Sequence, residues 1–251
     1  MASTPLDPAV RDAMLPWLDP AVVGNPHSRH RAGWRAAEAV DAARAEVAAL
    51  VGARPSQVVF TSGATEANNL ALFGTAPRLG RLIVPPIEHP SVLEPAEVLR
   101  ARGVRVDTLA VDRAGRVDLD HLRRLLDEGP ALVSIMAANN EVGTLQPLAD
   151  IGALCRAHGA LFHSDAAQAL STQAVDVEAM GVDLLSLSGH KLYGPAGIGA
   201  LCLRRDVALD PLFHGGGQQA GRRPGTLPVA LCVGLGEACR LARTRRADDA
   251  R

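Results

Sequence analysis

Lysine occurs once in the 251 residues, at Lys191, against 25 arginines. Arginine can stand in wherever a fixed positive charge suffices, but its guanidinium keeps its proton and cannot serve as an amine nucleophile. A chain that has replaced every other lysine and kept this one marks it for chemistry. Lys191 follows the apolar run 184–187 within Ser188-Gly189-His190-Lys191, and the only tyrosine, Tyr193, lies two residues on. In a partly desolvated crevice a lysine can present the neutral amine that a Schiff base requires. No GxxxxGK precedes it, so a phosphate-binding P-loop is excluded.

Other polar clusters repeat this placement. Asp165 follows 161–164, where a carboxylate at the end of a buried strand could hold a protonated ring nitrogen, as pyridoxal phosphate (PLP) sites demand, or simply cap a helix. Gly63-Ala64-Thr65 opens a helical segment whose free N–H groups and dipole suit a phosphate, although Ser, Gly and Thr often begin helices without any ligand. His89 precedes another helix and could lie flat on an aromatic ring or act only as a cap. Asn139 and Asn140 could be turn formers or ligand contacts. The five asparagines are clustered, at Asn25, Asn68 with Asn69, and Asn139 with Asn140.

The elements that must position these residues alternate. Helical patterns cover 29–50, 64–73, 91–102, 119–126, 147–157 and 227–246; short β-branched or Leu-rich strands cover 57–60, 82–85, 104–109, 131–137, 160–163, 184–187 and 199–203. This predicts an α/β fold with a mainly parallel central sheet flanked by helices. Residues 61–65, 88–89, 139–141, 164–165 and 188–191 each follow a strand. Ligands of open α/β sheets sit outside the carboxyl ends of the strands, so these five clusters are expected to converge on one crevice. No repeat or composition break divides the chain, so 1–251 reads as a single domain.

Composition bounds the function classes. With 47% hydrophobic and 21% charged residues and a formal net charge of -1, the chain reads as globular, with no electrostatic footprint for nucleic acid or an anionic membrane. No apolar run approaches the roughly 18 residues of a membrane span, and the first residues do not resemble a secretory signal, so a cytoplasmic location is expected. The four cysteines (Cys155, Cys202, Cys232 and Cys239) show no CxxC spacing, fit no zinc motif and suit a reducing compartment; no metal site is expected.

The runs Thr61-Ser62-Gly63-Ala64-Thr65-Glu66, Glu88-His89, Asn139-Asn140-Glu141-Val142-Gly143-Thr144-Leu145-Gln146-Pro147, His163-Ser164-Asp165-Ala166-Ala167-Gln168 and Ser188-Gly189-His190-Lys191-Leu192-Tyr193-Gly194-Pro195 resemble the cysteine desulfurases. These are fold-type I PLP enzymes of the class V aminotransferase group, and order and spacing match from about residue 5 to 237. The resemblance implies pyridoxal 5'-phosphate as cofactor and L-cysteine as substrate, converted to L-alanine with the sulfur passed to an enzyme thiol for iron-sulfur or other sulfur delivery. It implies that Lys191 carries the cofactor, Asp165 pairs with its ring nitrogen and His89 stacks on the ring. Asn140 and Gln168 would bond ring substituents, Gln168 at the phenolic oxygen, while Ala64, Thr65, Ser188 and His190 would hold the phosphate. Thr226, in a loop resembling one that reaches the phosphate of the partner subunit, implies a homodimer. A sulfur-acceptor protein is a further implied partner.

Against the family pattern, a short N-terminal strand and a smaller C-terminal domain are expected to be absent. The latter would hold the nucleophilic cysteine, on a mobile loop, and the arginine that grips the substrate carboxylate. The four cysteines here fall in predicted helices or a strand, so this chain alone is expected to turn over little L-cysteine. Two other readings stay open: a PLP-binding remnant without desulfurase turnover, and a related PLP-dependent lyase or aminotransferase.

Overall fold

The computed structural model describes residues 3–19, 22 and 24–249. Strands β1 (Val58–Thr61), β2 (Arg81–Val84), β3 (Arg105–Thr108), β4 (Leu132–Ser134), β5 (Leu161–Asp165), β6 (Leu184–Ser188) and β7 (Gly199–Leu203) form one sheet in the order β1-β7-β6-β5-β4-β2-β3. Every pairing is parallel except those of β7, which runs antiparallel to both β1 and β6. Six strands therefore point the same way, and their carboxyl ends share one edge. The expected mainly parallel α/β sheet is what the chain builds.

Helices cover both faces, as nearly continuous apolar strands require. On one face lie α1 (Pro8–Met14), α2 (Arg31–Leu50), α5 (Leu119–Leu126), α6 (Leu148–Ala157) and α7 (Val229–Asp249), around a core that includes Phe60, Ile135 and Phe162. On the other lie α3 (Ala64–Leu79) and α4 (Pro90–Ala101), packed through Leu70, Leu72, Val92 and Leu99. Phe60 and Phe162 are 1% and 0% exposed, and each such burial is worth roughly 1.5–3 kcal/mol.

Three local features depart from the pattern reading. Helix α1 forms because Asp7 caps it, its Oδ1 accepting from Ala9 N at 2.7 Å, and Pro8 fits the first turn; its seven residues carry too short a period to stand out. Helix α3 runs past 73 to Leu79, accommodating Pro77, and stops at Gly80 in the left-handed region (φ 69°). The regular part of the expected 131–137 strand is only Leu132–Ser134; Ile135 N and Ala137 N continue beside β5 by donating to His163 O (3.0 Å) and Asp165 O (2.8 Å).

Gly199 shows how β7 is inserted. A Cβ there would lie 2.4 Å from Leu187 O and 2.7 Å from Gly63 Cα, so only glycine lets β7 begin between the ends of β1 and β6. That close approach brings the turn after β1 against the turn after β6.

Candidate functional site

A cavity of about 730 Å³ opens at the carboxyl ends of the strands. All five polar clusters reach it: Ser62 to Glu66 from the β1–α3 turn, His89 from the α4 N-terminus, Asn140 and Glu141 after β4, Asp165, Ala167 and Gln168 after β5, and Ser188, His190 and Lys191 after β6. The sequence-predicted residues Ala64, Thr65, His89, Asn140, Asp165, Gln168, Ser188, His190 and Lys191 are thus brought together. Thr226 is not among the lining residues; it lies exposed in the loop before α7.

Lys191 closes a short 3₁₀ turn, Gly189–Lys191, and its Nζ donates to Gln168 Oε1 at 3.1 Å. Gln168 thus presents its oxygen to the lysine, leaving its NH₂ to donate elsewhere. The turn is strapped from the N-terminal segment. Thr4 N and Oγ1 both donate to His190 O at 2.9 Å, Thr4 Oγ1 accepts from Tyr193 N at 2.7 Å, and Asp7 N donates to Tyr193 O at 2.9 Å. Tyr193 sits at φ 57°, a conformation that non-glycine residues adopt at a cost, and this strap holds it there.

Asp165 ends β5 with 6% exposure. Its Oδ1 accepts from Ala167 N at 2.9 Å and its Oδ2 from Asn68 Nδ2 at 2.7 Å. Burial raises its pKa above the ordinary aspartate value, while the hydrogen bonds from Ala167 and Asn68 and the nearby Lys191 pull the other way. Asn68 Nδ2 also donates to Ser91 Oγ at 2.8 Å, and Ser91 Oγ lies 2.8 Å from His89 Nδ1. His89 caps α4, its Nδ1 accepting from Ser91 N at 3.1 Å. It is therefore both a cap and a crevice residue.

Glu88 is buried behind this group. Its Oε1 accepts from Met136 N at 2.7 Å, while Oε2 meets no hydrogen-bond partner among the described residues. Burial pushes its carboxyl well above the usual range and the nearby Asp165 charge adds to this, against the Met136 hydrogen bond. His190 is shifted down by burial and by the Lys191 charge. Asn139 takes the turn-forming role: its Oδ1 accepts from Glu141 N and Val142 N at 2.9 Å each, which frees Asn140 to face the cavity.

This donor set fits pyridoxal phosphate. Gly63, at φ 155°, gives α3 no side-chain cap, so the first-turn amides are left toward the cavity, with the macrodipole behind them. A Cβ on Gly63 would project to 3.9 Å from Ser188 Oγ, into the space that a phosphate between Ala64, Thr65, Ser188 and His190 would need. The amine of Lys191 and the carboxylate of Asp165 supply an imine-forming group and a partner for a ring nitrogen on the same crevice.

Sequence reasoning missed Asn68, Ser91 and Thr4. The asparagine cluster singled out Asn68 without giving it a role; nothing local marks Thr4 or Ser91.

The cysteines lie elsewhere. All four are buried, none lines the crevice, and burial pushes Cys155, Cys202 and Cys232 up to about 12 and Cys239 higher still. Among the described residues no cluster of His, Cys, Asp or Glu could hold a metal ion, and no helix is long and apolar enough to cross a membrane.

Comparison with known proteins gives the arrangement a family. The chain is 49% identical over 246 residues to a mitosomal cysteine desulfurase of Trachipleistophora hominis, covering 94% of this chain and 56% of that protein. It is 48% identical over 248 residues to the cysteine desulfurase IscS of Rickettsia bellii, covering 96% and 60%. It superposes on a solved NifS-like protein with a TM-score of 0.94 at 38% identity, covering 98% of this chain and 69% of that one, and on SspA in complex with cysteine with a TM-score of 0.91 at 42% identity, covering 95% and 70%. The chain spans little more than half the length of the curated relatives it matches. The model of the aminotransferase class-V family matches residues 1–250, and the chain belongs to that family.

Proposed function

We propose that this chain supplies the cofactor-binding part of a cysteine desulfurase, which converts L-cysteine to L-alanine and passes the sulfur to a thiol. The convergence of Lys191, Asp165, His89 and the α3 N-terminus on one cavity carries this reading. Relatives named cysteine desulfurases and a neighbour solved with cysteine support the substrate.

In this reading Lys191 binds the aldehyde of PLP. The cofactor supplies an electron sink for the bond electrons released at the substrate Cα. Asp165 holds the proton on the ring nitrogen, fixed in place by Asn68 and Ala167. Gln168 donates its NH₂ toward the phenolic oxygen, with its carbonyl turned to Lys191. Ala64, Thr65, Ser188 and His190 anchor the phosphate, His89 lies over the ring and Asn140 orients a ring substituent. Thr226, exposed before α7, reaches the phosphate of a second subunit in a homodimer.

The sulfur-receiving thiolate is not one of the four cysteines of this chain. Attack on the substrate sulfur needs an exposed thiol of lowered pKa, and these four are buried with raised values. It comes from another segment or a partner protein, so the chain by itself acts as a PLP-binding unit with little turnover. A sulfur-acceptor protein and a cytoplasmic location complete the proposal.

The test is to load the chain with PLP, add L-cysteine, and follow cofactor absorbance alongside alanine release, with and without an added thiol reductant. A cofactor band that responds to L-cysteine with little alanine released supports the proposal. No spectral response would overturn the substrate assignment. Robust alanine release, abolished by changing one of the four cysteines to serine, would show the nucleophile to be within this chain.

A further inference from the structure

The hydrogen bonds between Asp165 and His89 have only one consistent direction. A carboxylate accepts, so Asn68 must turn its NH₂ to Asp165 Oδ2, and that same nitrogen donates to Ser91 Oγ. The opposite amide orientation would set a carbonyl oxygen against a carboxylate oxygen at 2.7 Å. The Ser91 hydroxyl accepts from Asn68 and lies 2.8 Å from His89 Nδ1, where it can donate its proton or accept through its second lone pair, so the direction of that bond is decided at the nitrogen. The backbone N–H of Ser91 points at the same nitrogen from 3.1 Å and can only donate. Nδ1 therefore receives two donors and cannot bear a hydrogen of its own in this arrangement.

The geometry points to Asn68 and Ser91 as positioning residues that lock His89 in the tautomer with its proton on Nε2. Asp165 fixes the orientation of the Asn68 amide and the Ser91 backbone N–H fixes Nδ1 as an acceptor, so the carboxylate and the histidine of one crevice are tied through these two residues. Asn68 is 0% exposed and Ser91 8%, so water competes little for these bonds. The consequence is chemical: the ring offers the crevice an N–H donor at Nε2, able to give a hydrogen bond or a proton to a group there, rather than a bare nitrogen that takes one. This deepens the reading of the site above and rests on it for the role in catalysis; the tautomer itself is a property of the chain without cofactor.

Nitrogen-15 NMR of histidine-labelled chain in alkaline buffer reads the tautomer directly, with His89→Gln identifying the resonances. The expected wild-type pattern places Nδ1 at the acceptor-type shift and Nε2 at the protonated-type shift. Ser91→Ala removes the hydroxyl donor and Asn68→Leu removes the bond that orients the hydroxyl, so in both variants the two shifts move toward each other as the second tautomer is populated. Ser91→Thr, which keeps the hydroxyl, restores the wild-type pattern. A proton on Nδ1 in the wild type overturns the inference even if no variant folds, and so does a wild-type pattern unchanged in both Ser91→Ala and Asn68→Leu. Loss of a covalent cofactor adduct at Lys191 would overturn the functional reading and leave this tautomer result standing.

Discussion

Two aspartates at opposite edges of the sheet are buried to nearly the same depth and treated in opposite ways. Asp183, just before β6, is 5% exposed; its Oδ2 accepts from Phe162 N at 2.8 Å and its Oδ1 forms an ion pair with Arg204. Asp165, at the far end of β5, is 6% exposed and accepts only from an amide side chain and a backbone N–H; among the described residues it makes no ion pair. A buried charge is costly unless paired, so a fold that needs only stability gives it an arginine. In the proposed function, leaving Asp165 with neutral donors reserves its charge for the cofactor. The reactive side chains divide in the same way: Lys191 lines the crevice, whereas Cys202 lies buried in the sheet.

The largest effect that would break this contrast concerns the thiols. In the native chain all four cysteines should react with a disulfide reagent about 10³-fold or more slowly than in urea, because access requires local or global unfolding. Labelling at the rate of a free thiol at any of them would return a nucleophile to the functional surface. Next comes Asp165→Asn, which keeps the shape and the fold but removes the charge. We expect PLP still to bind and the exchange of the substrate Cα proton, followed by NMR in D₂O, to slow by about 100-fold or more. Asp183→Asn should do the reverse, leaving that exchange within about 2-fold while lowering stability in urea by about 1–2 kcal/mol through the weakened Arg204 interaction.

The smallest effect sharpens the contrast. The folded state holds the Glu88 proton more tightly than the unfolded chain, whose glutamate titrates near 4.5. Its contribution to stability is therefore complete below about 4.5 and is lost as pH rises through the raised folded value. Glu88→Gln can still accept from Met136 N, so urea midpoints measured across pH should show the variant gaining on the wild type as pH rises. A gap that stays constant would mean that Glu88 is not protonated in the fold.

Much of this was legible in the residues because it follows from period and placement. Alternating apolar strands and Ala-rich helices gave the layers, and polar clusters directly after strands gave the crevice, since side chains at strand ends have nowhere else to converge. The solitary Lys191 stood out because arginine cannot do its chemistry. What stayed hidden depends on contacts distant in sequence. The close approach of β7 to β1 and β6 at Gly199, the bond from Tyr193 N to Thr4 across 189 residues, and the meeting of Asn68 with Asp165 once α3 lies on the sheet are all long-range. Helix α1 was missed for a local reason: its stability comes from the Asp7 cap and from packing against α7 rather than from a long periodic pattern.

The central claim is that Lys191 is the group that takes the cofactor. Incubation of the purified chain with PLP, borohydride reduction and peptide mapping test it directly. The account predicts a stable adduct on the peptide containing Lys191, absent in Lys191→Arg, which keeps the charge but not the amine chemistry. Adduct only at the α-amino group of Met1, or none at all, would contradict it.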